Sequence, residues 1–192
     1  MIRTLSATLA ALAAAALLVA AGPAAAQAKL VPAQSSIAFT SKQLGVPVDG
    51  EFKKFDAQVA FDPKNPAAGR LALTVDTASA TLGVPEADAE LPTPTWFSAA
   101  RFPQASFQSS AIKALGGGRC EVAGKLTIKG TVRDLVVPVQ LTQAGGQSTA
   151  TGSFAIQRLA FKIGDGEWAD TSMVANDVQV RFKLVLTGLA PL

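Results

Sequence analysis

Residues 35–63 read SSIAFTSKQLGVPVDGEFKKFDAQVAFDP, which contains two strand-like segments joined by a turn-like one. Apolar and polar residues alternate around Ile37 and Phe39, and they alternate again from Phe55 to Phe61. Alternation with a period of two predicts strands with one buried face. The residues at 44–50 include glycines and an Asp-Gly pair, which are typical of turns. The stretch therefore predicts a long β-hairpin that carries its phenylalanines on one side.

The rest of the chain repeats this alternation between glycine-rich turns. Further strands are predicted at residues 70–77, 104–113, 119–128, 131–142, 148–157 and 178–187. Pro138 lies inside one of these strands, which indicates an edge, a bulge or a strand end. Residues 86–91 are the one helix candidate, with Pro85 in the first turn. About eight strands at regular spacing predict an all-β fold, either an antiparallel barrel or a sandwich.

Residues 78–103 interrupt the alternation and bring several large apolar side chains together. A connection of this length in a compact β domain usually has a function or covers a core. We predict that it does both, as a short helical or irregular lid over one end of the sheet. The predicted lid residues are Leu91, Trp96, Phe97 and Phe102.

The amino-terminal segment predicts export from the cytoplasm. Arg3 is followed by an unbroken apolar run at residues 9–21 and then by small residues that end at Ala26. This is the layout of a cleaved signal peptide. A membrane anchor is the alternative, but the run is shorter than the span of about 20 residues that a bilayer requires. We expect cleavage after Ala26 or Ala28, which leaves a single domain at residues 27–192.

The composition excludes several classes of function. The chain has no histidine, no tyrosine and one cysteine, Cys120. The usual zinc, copper and iron ligand sets cannot be assembled from these residues, nor can a Ser-His-Asp or Cys-His nucleophile system. The formal charge of +3 falls to +2 without Arg3, and the basic residues are scattered, so nucleic acid is not an expected partner. Cys120 is expected to be buried and inert.

An ordered set of short motifs resembles the YceI-like family. These motifs are SSIAF at 35–39, LGV at 44–46, GEFKKF at 50–55, FDP at 61–63, WFS at 96–98, FP at 102–103, FQS at 107–109 and GKLTIKG at 124–130. The resemblance covers nearly all of the expected mature domain. It implies an extended, lipocalin-like barrel of eight antiparallel strands around an elongated hydrophobic cavity. It also implies a periplasmic protein that binds isoprenoid lipids, such as polyprenyl chains or quinones.

Two local features qualify this resemblance. The run GDGEWADT at residues 164–171 is more similar to members found beside b-type membrane cytochromes, which implies a quinone-like ligand or a redox partner. Family members often carry histidine where this chain has Gln34, Gln43 and Lys129. These departures remove any imidazole that would bind a head group or a metal. No cofactor is expected besides the bound lipid or quinone.

The inward positions of the predicted strands are candidates for contact with a lipid tail. These residues are Phe39, Phe55, Val59, Phe61, Leu73, Val75, Phe107, Val137, Phe154, Val180 and Phe182. Packing in a filled core is the alternative for each of them, because an eight-stranded barrel is wide enough for packed side chains or for one small ligand. Arg158, Lys162 and Trp168 are candidates for contact with a polar head group, with an ordinary charged surface as the alternative.

Two other functions remain open from the residues alone. Glu86, Asp88 and Glu90, or the acidic residues within 165–170, are possible acid and base groups of an enzyme. Helix capping and loop solvation are the simpler interpretation of both clusters. The other alternative is an interaction protein with a filled core that docks on a membrane partner. We expect a binding protein rather than an enzyme.

Overall fold

The strands follow the alternation of apolar and polar residues, as the strand at residues 119–128 shows. In the computed structural model, which describes residues 27–192, Cys120, Val122 and Leu126 of this strand are buried and Lys125 points outward. The strands are β1 (Gln27–Leu30), β2 (Ser36–Gln43), β3 (Val46–Phe52), β4 (Phe55–Ala60), β5 (Arg70–Asp76), β6 (Ala80–Thr81), β7 (Gln104–Gly116), β8 (Arg119–Ile128), β9 (Thr131–Ala144), β10 (Gln147–Gln157) and β11 (Asp177–Thr187). Helix α1 (Pro85–Glu90) lies between β6 and β7.

Eight of these strands close into an antiparallel barrel. Their order around the ring is β1, β4, β5, β7, β8, β9, β10 and β11. The ring closes where Lys29 and Leu30 of β1 pair with Thr187 and Leu186 of β11. Closure leaves the ring without the unpaired edges that an open sheet would present. The all-β prediction of an extended, lipocalin-like, eight-stranded barrel is therefore confirmed, and the sandwich alternative is wrong.

The remaining strands lengthen the barrel wall at one end. β2 pairs with the amino-terminal half of β11, from Gln179 opposite Thr40 to Lys183 opposite Ser36. β3 pairs with β2, and the two residues of β6 pair with the end of β3. β1 and β2 therefore share β11 as a partner, and the β2–β3 hairpin extends the wall beyond the closed ring.

The predicted hairpin at residues 35–63 is wrong in its pairing. Residues 46–50, predicted as part of a turn, belong to β3, and the turn consists of Leu44 and Gly45 alone. Both residues have positive φ, at 49° and 81°, as a two-residue type I′ turn requires. β4 pairs with β1 and β5 rather than with β2.

Two residues that are rare in strands explain this error. Pro47 pairs with Lys42 of β2, and β6 pairs only with the far end of β3. The side of β3 that faces away from β2 therefore has no partner strand at Pro47, and the missing N–H of Pro47 costs no hydrogen bond there. Gly50 is required because the ring of Phe39 occupies the space where a Cβ atom would lie. Pro47 and Gly50, which predicted a turn, therefore belong to an edge strand that has an aromatic ring packed across it.

Pro138 marks the end of one ladder. β9 and β10 pair from Ala144 opposite Gln147 to Val139 opposite Gly152, and the pairing stops there. The amino-terminal half of β9 therefore pairs with β8 alone. The predicted disturbance of the sheet at Pro138 is confirmed as a strand-pair end.

The lid predicted at residues 78–103 is confirmed from residue 82 onward, whereas residues 80 and 81 form strand β6. α1 begins at Pro85, which occupies its first turn as predicted. Leu91 and Phe97 are buried in the core of the barrel, and Trp96 packs against that core. The segment is thus both a cover and part of the core. Within residues 27–192, no helix is long and apolar enough to cross a membrane.

Candidate functional site

The barrel is hollow. It encloses a cavity of about 400 Å³, which lies within the range of small-molecule sites. The wall includes both Val178 and Leu186 of β11, which stand eight residues apart, or about 26 Å along a strand. The lining is apolar except for a few side chains, so the cavity is elongated and suits an extended apolar chain.

Nearly all of the residues predicted to contact a lipid tail lie in this wall. They are Phe39, Val59, Phe61, Leu73, Val75, Phe107, Val137, Phe154, Val180 and Phe182. The exception is Phe55, which lies beside Pro32, Ser35 and Lys53 in a separate surface depression. Phe55 has the inward phase of its strand and pairs with Val75 of the cavity wall, but it borders this depression and not the cavity. Its assignment to the cavity is wrong.

Three of the four predicted lid residues reach the cavity. Leu91, Trp96 and Phe97 line it. Phe102 does not, because its ring packs across Gly130 and lies 5.1 Å below the guanidinium of Arg101. The carbonyl oxygen of Phe102 accepts a hydrogen bond from the hydroxyl of Thr77 at 2.8 Å. Phe102 therefore fastens the carboxyl end of the lid to the barrel instead of covering the cavity.

Arg158 is a structural residue rather than a free cation. It is 2% exposed, and its five N–H groups donate to backbone carbonyls of Ile163, Gly164, Trp168, Val174 and Ala175 at 2.5–3.0 Å. Burial lowers its pKa from the ordinary arginine value. A guanidinium has five donors in all, so none remains for a ligand. Both interpretations from the sequence, a head-group contact and an ordinary surface charge, are wrong for this residue.

Of the other two head-group candidates, one lines the cavity and one does not. Trp168 lines the cavity, with its ring centroid 5.9 Å from that of Trp96. Lys162 is exposed, has a left-handed backbone with φ of 58°, and is not part of the wall. Its carbonyl oxygen accepts a hydrogen bond from Nζ of Lys129 at 2.6 Å. Only Trp168 is therefore placed where a bound molecule would meet it.

Lys129 is the second buried cation at this end of the barrel. Its side chain is 9% exposed and also donates to the carbonyl oxygen of Thr95 at 3.2 Å. Burial lowers its pKa, and Asp165 at 3.8 Å opposes that shift. The ammonium thus ties the lid to the segment after β10, and Lys129 is not part of the cavity wall.

The sequence interpretation missed the polar residues of the wall, namely Ser41, Gln43, Glu90 and Ser106. Ser41 and Gln43 continue the inward-facing positions of β2 beyond Ile37 and Phe39, so the alternation alone could have predicted them. The four polar residues make one end of the cavity polar. Among the described residues that line the cavity, only Gln43 and Glu90 are exposed, which places the opening at this end.

Exposed apolar residues surround this opening. Leu44 is 69% exposed and Val46 is 63% exposed at the tip of the β2–β3 hairpin. Met173 lies beside them, because its carbonyl oxygen accepts a hydrogen bond from the amide of Leu44 at 2.8 Å. The opening therefore combines an apolar rim with the polar side chains of Gln43 and Glu90.

One carboxylate of each acidic cluster, Asp88 and Asp170, is committed to local hydrogen bonds. Asp88 accepts hydrogen bonds from the hydroxyl of Thr81 and the amide of Leu82, both at 2.5 Å, and these bonds hold its pKa below the ordinary value. Asp170 has its pKa lowered in the same way by the hydroxyl and amide of Ser172. A general acid needs a raised pKa, so these two carboxylates are arranged for the opposite state.

Cys120 lines the cavity from β8 and is 9% exposed. Burial raises the pKa of its thiol, because the charged thiolate loses solvation in the apolar wall. The thiolate is the reactive form of cysteine, so this residue is held in its unreactive form. The prediction that Cys120 is buried is confirmed.

Comparison with solved structures identifies the same barrel elsewhere. The crystal structure of BcnA from Burkholderia cenocepacia has a TM-score of 0.79 and 46% sequence identity, and it covers 81% of this chain and 98% of its own. The YCEI protein of Campylobacter jejuni has a TM-score of 0.66 at 22% identity, over 75% of this chain and 86% of its own. A polyisoprenoid binding domain from Saccharophagus degradans, implicated in plant cell wall breakdown, has a TM-score of 0.64 at 17% identity, over 84% and 98%. The last two likenesses show the fold alone.

Sequence comparison gives the family. UPF0312 proteins of Vibrio cholerae serotype O1 and Yersinia pestis are 32% identical over 114 residues and 36% identical over 110 residues. These matches cover 59% and 57% of this chain, and they span 60% and 57% of the length of those relatives. The model of the YceI-like domain matches residues 29–186, which is almost the whole described part of the chain. The chain therefore belongs to the YceI-like family.

Proposed function

We propose that this protein is a periplasmic binding or carrier protein for a long-chain isoprenoid lipid or quinone. The observation that carries the proposal is the elongated apolar cavity of about 400 Å³ inside the closed barrel. A solved relative of the same fold is described as a polyisoprenoid binding domain, which supports an isoprenoid as the ligand. The ligand enters and leaves beside Gln43 and Glu90, where the wall is exposed.

Burial of the tail supplies enough free energy for tight binding. Each buried CH₂ group contributes about 0.8 kcal/mol, so one five-carbon isoprene unit contributes about 4 kcal/mol before ordering costs. Two or three buried units offset the loss of translational, rotational and chain freedom. Affinity therefore comes from the apolar wall, and polar groups at the opening set orientation and selectivity.

Binding explains the site better than catalysis or docking with a filled core. Asp88 and Asp170 have lowered pKa values and are committed to local hydrogen bonds. A filled core would leave no cavity of this size. Association with a membrane-bound b-type cytochrome stays a prediction from the resemblance at residues 164–171, a segment that Arg158 holds in place.

The proposed export fits a cut after Ala26. The predicted signal peptide at residues 1–26 lies outside the described residues. Ala28 is buried in β1 and pairs with Val59 of β4, so a cut after Ala28 would remove half of a strand that closes the barrel. A cut after Ala26 leaves β1 whole.

Organic-solvent extraction of the protein purified from its own periplasm tests the proposal. We expect mass spectrometry of the extract to show an isoprenoid lipid at a molar ratio near one per chain. Extracted protein should then take up added ubiquinone or polyprenol, with a change in the emission of Trp96 and Trp168, which both line the cavity and are the two tryptophans of the chain. An extract without lipid, from protein that also takes up neither compound, would contradict the proposal.

A further inference from the structure

We propose that the cavity selects an isoprenoid with an uncharged head group, a hydroxyl or a carbonyl, and rejects phosphorylated prenyl lipids. This inference rests on the proposed function and names the chemical class of its ligand. It follows from the groups at the open end of the cavity: a hydroxyl that has no partner among the described residues, and cations that are either bonded to other groups or not part of the wall.

The unpartnered hydroxyl belongs to Ser41. The residue lines the cavity on the inward face of β2, and its Oγ is buried and makes no hydrogen bond within the described part of the chain. A buried polar group without a partner is rare and costly, and it is satisfied when a ligand supplies the missing hydrogen bond. Rotation about one bond lets this hydroxyl donate to a carbonyl or exchange hydrogen bonds with an alcohol.

Gln43 adds a second neutral group at the opening. It stands two residues beyond Ser41 on the same face of β2, about 7 Å along the strand. Its side-chain amide can both donate and accept. Ser41 and Gln43 therefore offer a bound head group one hydroxyl inside the wall and one amide at the rim, neither of which carries charge.

The cations near this end cannot neutralise a phosphate. Arg158 is the one cation among the described residues of the wall, and carbonyl oxygens occupy all five of its N–H groups. The ammonium of Lys129 is committed to two carbonyls and Asp165. Lys42 lies between Ser41 and Gln43 and so points to the opposite face of β2.

The remaining charge at the opening disfavours an anion. Glu90 is exposed and lines the cavity, so its carboxylate lies where a head group would emerge. A phosphate next to a carboxylate, without a free cation, loses solvation and gains no compensating attraction. An uncharged head group meets neither penalty.

Three probes with tails of equal length separate head-group selectivity from tail binding: ubiquinone, polyprenol and polyprenyl monophosphate. Their dissociation constants are measured with extracted protein by tryptophan emission. We expect the two uncharged probes to bind at least about tenfold more tightly than the monophosphate. Equal or tighter binding of the monophosphate overturns the inference but leaves the proposed function standing. Failure of all three probes to bind overturns the proposed function itself.

Matched variants test the role of Ser41. Ser41→Ala is expected to weaken polyprenol about 3- to 10-fold, the range of one lost hydrogen bond, without weakening a headless polyprenyl hydrocarbon. Thr93→Val is the control, because the hydroxyl of Thr93 is also buried without a partner but the residue does not line the cavity. The assignment of Ser41 is overturned if Ser41→Ala weakens the hydrocarbon as much as it weakens polyprenol. It is also overturned if Thr93→Val weakens polyprenol as much as Ser41→Ala does.

A gain of function completes the test. Gln43→Lys places a free ammonium at the rim of the opening, and we expect it to raise the affinity for the monophosphate several-fold and to narrow the gap between the monophosphate and polyprenol. No gain for the monophosphate means that its rejection has another cause than the missing cation, which overturns the electrostatic part of the inference.

Discussion

Ala150→Phe is expected to lower the affinity for a polyprenol or a quinone about 30-fold. Ala150 lines the cavity from the middle of β10, so a benzyl group at this position occupies space that the ligand tail would fill. Displacing two or three buried CH₂ groups costs about 2 kcal/mol of binding free energy, which corresponds to that factor. The measurement is a titration of extracted protein, followed by tryptophan emission.

Ala155→Phe is the matched control for this variant. Ala155 lies on the same strand with the opposite phase, is exposed and does not line the cavity. The substitution places the same side chain on the outer surface of the barrel, so the affinity of this variant for the lipid should equal that of the unchanged protein. Thermal unfolding of both variants checks that they are folded. Full affinity in a folded Ala150→Phe protein would mean that the tail does not enter the barrel.

Arg158→Met is expected to reduce the free energy of unfolding by at least about 3 kcal/mol. The substitution keeps most of the aliphatic length but removes five donors, so that buried carbonyl oxygens between Ile163 and Ala175 lose their partners. Each buried group left without a partner costs about 1–3 kcal/mol, reduced where water can reach it. Urea unfolding of the mature domain measures the change.

Lys162→Met is the control, because Lys162 lies in the same segment with an exposed side chain. Its free energy of unfolding should change by less than about 0.5 kcal/mol, as is usual for surface substitutions. Arg158→Lys should be nearly as unstable as Arg158→Met, since a single ammonium cannot reach five carbonyls in the plane of a guanidinium. Wild-type stability in Arg158→Met would show that the segment after β10 is held by other contacts.

The inward face of the barrel could be predicted from the sequence because strand alternation specifies it directly. Val180 and Phe182 of β11, or Leu73 and Val75 of β5, follow a strict period of two and line the cavity. Alternation gives the phase of a residue but not the packing of its side chain. Phe55 has the inward phase and pairs with Val75 of the cavity wall, yet it borders a depression beside Pro32 and Lys53 instead.

Other parts of the structure could not be predicted from local patterns. Pro47 and Gly50 are signals of a turn until the unpaired side of β3 and the ring of Phe39 are known. Arg158 lies at the start of an irregular segment without a period, and its partners become neighbours only when that segment folds around it. Whether the barrel is hollow depends on the summed volume of its inward side chains, which no single strand reveals.

A crystal structure of the domain loaded with ubiquinone tests whether the isoprenoid tail binds inside the barrel. We predict electron density for the isoprenoid tail inside the barrel, in contact with Phe39 and Phe182 and running toward Leu186 at the closed end. An interior that stays filled by side chains or empty, with the lipid bound on the outer surface or absent, would contradict it.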